Sequence, residues 1–197
     1  MAYASLERFR DITGRNVLAL QQAKEAGKKV VGQYCIYSPL EIALAAGAIP
    51  VSLCGTKNDS IPVAETMLPR SLCPLIKSSF GFALQDSCPY LAASDIVVAD
   101  TTCDGKKKMY ELLAAYKPVV LLQLPQIQDG DAKDYWRAQY AKLAARLEKD
   151  FGASITTDDL RDAVRLTNRL RRALKDVLDL AKRKPSPLTG MDLLDIC

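Results

Sequence analysis

The chain has 197 residues, 49% of them apolar and 25% charged, which is one full domain of roughly 150 residues with a remainder. Its 27 basic and 23 acidic side chains leave a net charge of +4, too mild to point to nucleic acid as a partner. There is no histidine, so Ser-His-Asp and Cys-His catalysis, HExxH zinc sites and two-His iron sites are all excluded within the chain.

The first element reads as an amphipathic helix. Leu6, Phe9, Ile12, Val17 and Leu20 recur at helical spacing, Ser5 stands where a cap belongs, and Gly27 stands where the helix stops. Residues 30–34, Val-Val-Gly-Gln-Tyr, form a short apolar strand. Ser38-Pro39-Leu40-Glu41 then reads as a cap, with proline at the first helical position and a carboxylate in the first turn. The alanine-rich helix that follows ends at Gly47. Further strands are expected over 49–53, 95–99 and 118–124, with a helix over 105–116 between the last two. This alternation predicts an α/β fold: an open four-stranded parallel sheet, Rossmann-like or flavodoxin-like, with helices on both faces. The crossover over 54–94 is long and carries Pro62, Pro69, Pro74 and Pro89, with two short helices expected near 62–68 and 73–85. Long crossovers in compact domains often carry function.

From Asp131 the pattern is purely helical and predicts a hairpin packed on the α/β unit. Trp136, Tyr140, Leu143, Leu147 and Phe151 make one stripe. Thr156 and Asp159 are spaced as a capping box for a second helix, whose apolar face is read as Leu160, Val164, Leu170, Leu174, Val177 and Leu178. Arg161, Arg165, Arg169, Arg172 and Lys175 alternate with Asp158, Asp162 and Asp176 and read as a solvated, ion-paired surface. After Pro185-Ser186-Pro187 another helix-like segment begins at Met191, and the sequence stops at Cys197. The expected organisation is an α/β lobe with its N-terminal helix over 1–128 and a helical hairpin over 129–184. Residues 185–197 are expected to be a linker and the start of a truncated second lobe.

Six cysteines, at 35, 54, 73, 88, 103 and 197, fall well below the density of a disulfide scaffold, roughly 8–10%. The first ten residues carry charges where a signal peptide needs an apolar run, and the longest charge-free stretch, 42–56, contains Pro50 and is short of the roughly 18 residues of a membrane span. Reduced thiols in the cytoplasm are therefore expected. Cys35, Cys54 and Cys103 follow the first, second and third strands, at the carboxyl edge where open α/β sheets bind ligands. Cys73 comes from the long crossover. Separations of 38 and 30 residues among Cys35, Cys73 and Cys103 match no local ferredoxin or zinc-ribbon pattern. On the residues alone, these three are either small buried apolar groups or a shared site, while Cys54 and Cys88 read better as the former.

Two features favour the site. Cys73-Pro74 opens a helix, with Arg70 before it and Lys77 one turn later, and both cations and helix dipole stabilise thiolates. Asp104 reads as the cap of a helix whose first turn holds Lys106, Lys107 and Lys108. Three cations there oppose the macrodipole, so they are either a solvated run or an offset for a nearby anion. That anion can be thiolates with inorganic sulfide, as in an iron–sulfur cluster, or a docking partner's acidic surface.

The segment from Gly32 to Glu41 (Gly-Gln-Tyr-Cys-Ile-Tyr-Ser-Pro-Leu-Glu), followed by Ala45-Ala46-Gly47-Ala48, resembles the opening motif of the 2-hydroxyacyl-CoA dehydratase D-component family. Two further blocks, the one around Leu72-Cys73-Pro74 and Thr101-Thr102-Cys103-Asp104-Gly105-Lys106-Lys107-Lys108, are most similar to its double-cubane cluster branch. The resemblance covers essentially the whole chain, as the N-terminal lobe of the complete proteins. It implies a 4Fe–4S cubane held by Cys35, Cys73 and Cys103, half of a double cubane when a second lobe supplies more cysteines. It also implies a separate ATP-dependent iron–sulfur activator as electron donor, and a homodimer of the complete, anaerobically active protein.

The first expectation is therefore the N-terminal lobe of a reductase-type iron–sulfur protein, an oxidoreductase in class, inactive as this lobe alone. Tyr34, Tyr37, Glu41, Arg70 and Lys77 are candidates for adjusting the cluster or supplying protons, with packing or surface roles open for each. The alternative is a subunit of a 2-hydroxyacyl-CoA dehydratase, a lyase using one 4Fe–4S cluster, with Lys106 to Lys108 near the thioester's phosphates. A third reading is a non-enzymatic zinc-thiolate domain in which Cys54 or Cys88 completes a four-thiolate site. Handled in air, the chain is expected to be a cluster-free fold with Cys35, Cys73 and Cys103 near one another.

Overall fold

The computed structural model describes residues 6, 7, 9 and 11–196; the expected cap Ser5 and the terminal Cys197 lie outside them. Helix α1 (Ile12–Glu25) ends where Gly27 takes a positive φ of 82°, a conformation open to glycine without steric penalty. Strand β1 (Val30–Tyr34), α2 (Leu40–Ala45) and β2 (Ile49–Leu53) form the first parallel unit. The long crossover holds α3 (Ile61–Ala64), α4 (Pro74–Gln85) and α5 (Pro89–Ala93). Then come β3 (Ile96–Asp100), α6 (Asp104–Leu113), β4 (Val119–Leu122), α7 (Ala132–Phe151), α8 (Thr157–Ala181) and α9 (Gly190–Ile196). Among the described residues no helix is long and apolar enough to cross a membrane.

The four strands form one parallel sheet in the order β2-β1-β3-β4, so the α/β expectation holds and the order is the flavodoxin-like one. Central strands β1 and β3 are buried along their whole length, as expected of a sheet covered on both faces. Period-two alternation divides their side chains. Val30, Tyr34, Val97 and Ala99 meet Phe80, Met109, Tyr110 and Leu113 on the face covered by α1 and α3–α6. Val31, Ile96 and Val98 meet Ile42, Ala43, Leu143 and Leu147 on the face covered by α2 and α7. The expected α7 stripe is this contact: Trp136, Tyr140 and Phe151 pack around Leu143 and Leu147.

Several local expectations shift. Pro39 is the N-cap of α2 rather than its first helical residue, and the Ser38 hydroxyl donates back to the Tyr34 carbonyl at 3.3 Å. Cys103, not Asp104, is the N-cap of α6; Asp104 is its first residue and pairs with Lys107 at 3.1 Å. The crossover holds a third helix, α5, that begins at a proline in its first turn. The strand expected over 118–124 pairs only over Val119–Leu122.

The largest change is in α8. Its start follows the sequence: Thr156 accepts from the Asp159 N–H while the Asp159 carboxylate accepts from the Thr156 N–H, a complete capping box. Its contact face does not. Ala163 and Thr167 are its buried residues, while Val164, Leu170 and Leu178 of the expected apolar face stand 42%, 53% and 48% exposed. The reason is a polar anchor. The Thr167 hydroxyl and the Arg171 guanidinium both donate to Glu41 Oε1 on α2, at 2.7 and 2.6 Å, and this turns the helix so that Thr167 faces inward. The basic run is ion-paired as expected where Arg161 meets Asp158 and Arg165 meets Asp162, each at 2.7 Å.

Candidate functional site

Strands β1 and β3 are neighbours, yet the chain leaving β1 enters α2 on one face and the chain leaving β3 enters α6 on the other. Such a switch point opens a crevice at the carboxyl ends of the strands, the usual ligand position in open α/β sheets. Cys35 follows β1 directly, and Cys103 follows β3 by three residues, so the two cysteines flank the crevice. Cys54 follows β2 directly.

Cys35 has φ 65°, left-handed backbone that costs a non-glycine residue about 1–2 kcal/mol. The conformation is held from both sides. The Tyr37 N–H donates to Asp100 Oδ2 at 3.2 Å, and the Tyr140 hydroxyl donates to the Tyr37 carbonyl at 3.2 Å. Asp100, fully buried, is the last residue of β3, so the Cys35 turn is tied to the neighbouring strand end. Trp136 stands edge-on to the Tyr37 ring at 6.3 Å. Lys106, from the first turn of α6, donates from Nζ to Cys35 Sγ.

Cys73 and Cys103 are the N-cap residues of α4 and α6, which places both residues at positive ends of helix dipoles, though neither side chain caps its helix by a hydrogen bond. The two helix starts abut. A Cβ added at Gly105 would lie 2.8 Å from Leu72 Cδ1 and 3.0 Å from Ile76 Cδ1, so α6 starts in close contact with the side chains that flank Cys73.

The cations expected around Cys73 are engaged elsewhere. Lys77 is buried and donates to Glu65 Oε1 and to the Arg70 carbonyl, both at 2.7 Å, while the exposed Arg70 side chain lies 3.8 Å from the same carboxylate. Hydrogen bonding to Lys77 holds the Glu65 carboxyl below the usual carboxylate range. Of the three α6 lysines, Lys107 pairs with Asp104 and Lys108 with Glu111, so Lys106 is the one that turns to a thiol. Glu41 is taken by Thr167 and Arg171 of α8. Tyr37 is half-exposed and lines the crevice.

A cavity of about 520 Å³ opens beside Cys35. Leu53, Leu75, Ile76 and Met109 make it apolar; Cys35, Cys54 and Lys106 supply polar groups, and Tyr34 and Tyr110 also line it. Burial, then the charges of nearby thiols, pushes both tyrosine hydroxyls well above the ordinary phenol range, so they remain protonated donors. Burial pulls Lys106 down, but its bond to Cys35 and the charges of Cys35, Asp100 and Cys103 outweigh that and raise it. Asp100 and Tyr110 were not legible as site residues. The available signal was helical spacing: Cys103, Lys106 and Tyr110 fall on one face of α6.

The described cysteines are all free thiols. Among the described residues no three or more Cys, Asp or Glu side chains are gathered closely enough to hold one metal ion. A closed four-thiolate zinc site needs its sulfurs within one tetrahedral shell, at Zn–S of about 2.3 Å, and finds no preformed cage here. A polynuclear cluster asks for less, because sulfide bridges several irons and its cysteines stand farther apart. Of the three cysteines singled out in the sequence, Cys35 lines the cavity together with Cys54, while Cys73 and Cys103 are exposed at the starts of α4 and α6 and are not among its lining residues.

A family model described as "2-hydroxyglutaryl-CoA dehydratase, D-component" matches residues 35–197. The chain is 46% identical over 194 residues to "Putative dehydratase subunit YjiM" of Escherichia coli, covering 98% of this chain and 51% of that protein. It is 27% identical over 174 residues to the (R)-phenyllactyl-CoA dehydratase beta subunit of Clostridium sporogenes, covering 86% of this chain and 46% of that one. A benzoyl-CoA reductase subunit of Thauera aromatica is 27% identical over 183 residues, 89% of this chain and 46% of that protein. The chain thus spans about half the length of the curated relatives it matches.

Proposed function

The chain belongs to the 2-hydroxyglutaryl-CoA dehydratase D-component family, a family of dehydratase and reductase subunits, and on that basis we propose that it is the cluster-holding N-terminal lobe of an iron–sulfur reductase-type protein. The observation that carries this reading is the placement of Cys35 and Cys103 on either side of the β1/β3 switch point, with Cys73 on the abutting helix start. Cys35, Cys73 and Cys103 would hold the cluster, which supplies low-potential one-electron chemistry when bound. Lys106 offsets thiolate charge at Cys35, and the walls formed by Leu53, Leu75, Ile76 and Met109 keep water from the sulfur side of the crevice. Two partners are proposed: a second lobe of the same family to close the crevice, and an ATP-dependent iron–sulfur activator to deliver the electron. Similarity to both subunits of one enzyme supports the first, since the phenyllactyl-CoA dehydratase alpha subunit is also 26% identical over 211 residues.

The second reading is a subunit of a 2-hydroxyacyl-CoA dehydratase, which several relatives, themselves dehydratase beta subunits, favour. One experiment separates the readings. The complete protein, purified without oxygen, is assayed for iron and sulfide and then for thioester-dependent loss of water with its activator. Iron and sulfide at twice the content of one cubane, with no thioester turnover, support the reductase-type reading. One cubane with turnover supports the dehydratase. A complete protein free of iron overturns both.

A further inference from the structure

The cavity beside Cys35 has a second thiol in its wall, Cys54. The sheet brings the two residues together. Tyr34 and Leu53 are lateral partners in the parallel β1–β2 ladder, and Cys35 and Cys54 are each the next residue along their strands. Partners in neighbouring strands lie about 4.8 Å apart, inside the roughly 4.4–6.8 Å of Cα separation that a disulfide spans. The cysteines thus leave the ladder from one such pair, and both line the same cavity. Both are free thiols. Cys54 is exposed and donates to the Gly55 carbonyl at 3.8 Å, a weak contact with its own loop. Cys35 is half-buried and has the Lys106 ammonium beside it. Cys73, Cys88 and Cys103 stand at the starts of α4, α5 and α6 and are not among the lining residues.

We propose that Cys35 and Cys54 join in a reversible disulfide when the free thiols meet a peroxide, and that this bond guards Cys35 against irreversible oxidation. The Cys35 sulfur attacks one oxygen of hydrogen peroxide, the O–O bond breaks, and water leaves with the thiol proton, which makes a sulfenic acid at Cys35. The Cys54 sulfur then attacks the Cys35 sulfur, the S–O bond breaks, and a second water leaves with the Cys54 proton. Two thiols are oxidised and one peroxide is reduced by two electrons. Without a second thiol in reach, a sulfenic acid goes on to sulfinic and sulfonic acids, which ordinary thiols do not reverse. The pairing needs no metal.

The sequence makes the test direct. No Lys or Arg lies between Lys29 and Lys57, so trypsin releases both cysteines in one peptide, residues 30–57. The 197-residue chain, reduced and treated with a chelator, is exposed to stoichiometric hydrogen peroxide, alkylated, digested and weighed. Peptide 30–57 is expected to be lighter by two hydrogens and to carry no alkyl group. Dithiothreitol is expected to restore both alkylation sites. In Cys54→Ser, Cys35 is expected to gain oxygen that dithiothreitol does not remove. The chain oxidised in urea is expected to give several pairings, because Cys73, Cys88 and Cys103 then compete over similar loop lengths. Peptide 30–57 alkylated at both cysteines, or cross-linked to a peptide holding Cys73, Cys88 or Cys103, overturns the pairing. The same single pairing in urea would trace it to the sequence alone and also overturns the proposal. A fully reducible Cys35 in Cys54→Ser overturns the guarding role.

Discussion

Lys106 and Cys35 lie 71 residues apart in the chain and meet through an Nζ–H···Sγ hydrogen bond at the β1/β3 switch point. The bond links the first turn of α6 to a strained residue at the end of β1, and it gives the Cys35 thiol its own cation. Hydrogen bonds to charged groups contribute about 1.5–3 kcal/mol. Lys106→Met keeps the stem and removes the charge. The variant of the complete protein is expected to lose its iron chromophore in air about tenfold faster, followed as absorbance decay. Equal decay rates would show that the bond does not serve the cluster.

The three proposed ligands are separable from the other thiols. Cys35→Ser, Cys73→Ser and Cys103→Ser are each expected to strip iron from the anaerobic complete protein. Cys54→Ser is expected to retain it, although Cys54 lines the same cavity as Cys35. Cys88 packs against the core, so Cys88→Ser should lower the melting temperature and leave the iron in place. Iron per chain decides each case, and loss from Cys54→Ser would redraw the ligand set.

Glu41 makes the α2–α8 contact depend on pH. Burial raises its pKa, but bonds from Thr167, its own backbone and Arg171 outweigh this and hold it below the usual 4.5. A lowered folded pKa means stability that is complete above about pH 4.5 and is lost as pH falls through the folded value. Glu41→Gln is expected to cost about 1 kcal/mol at pH 7, a modest figure because the Arg171 side chain is 56% exposed. The gap between variant and wild type should then close on acidification below pH 4.5, read by urea unfolding at each pH. A gap that stays constant would remove Glu41 as the source.

Two glycines distinguish a backbone clash from a side-chain one. A Cβ at Gly81 would sit 1.9 Å from the Ser60 carbonyl oxygen, which belongs to backbone and cannot yield without moving α3 from α4. Gly81→Ala should cost about 1–3 kcal/mol or more. At Gly105 the obstacles are the flexible ends of Leu72 and Ile76. Gly105→Ala should therefore melt close to wild type but bind less iron in the complete protein, because the shifted Leu72 adjoins Cys73. Thermal melts and iron assays of the pair check both statements.

Gly27, the Thr156–Asp159 box and the α7 stripe were readable because each is decided within one or two turns of chain. The parallel sheet followed from the alternation of strands and helices, and the thiol edge from cysteines that end strands. The face of α8 was not readable. A periodic stripe says that a helix is amphipathic, but the partner selects the buried face, and here Glu41 selected Thr167 over the leucines.

The chemistry available to this chain is written in its residues: no histidine, cysteines at strand ends, and lysines at a helix start. Which of those groups meet is settled in three dimensions. Lys77, beside Cys73 in sequence, is taken by Glu65, while distant Lys106 reaches Cys35. Glu41, read from its motif as a site candidate, became the anchor of α8. Tyr110, unremarkable in sequence, stands buried beside the cavity with no hydrogen-bond partner for its hydroxyl. Composition and local pattern fix what a side chain can do. Long-range packing fixes its neighbours and its burial, and these set whether a charge is paired and whether a donor is free.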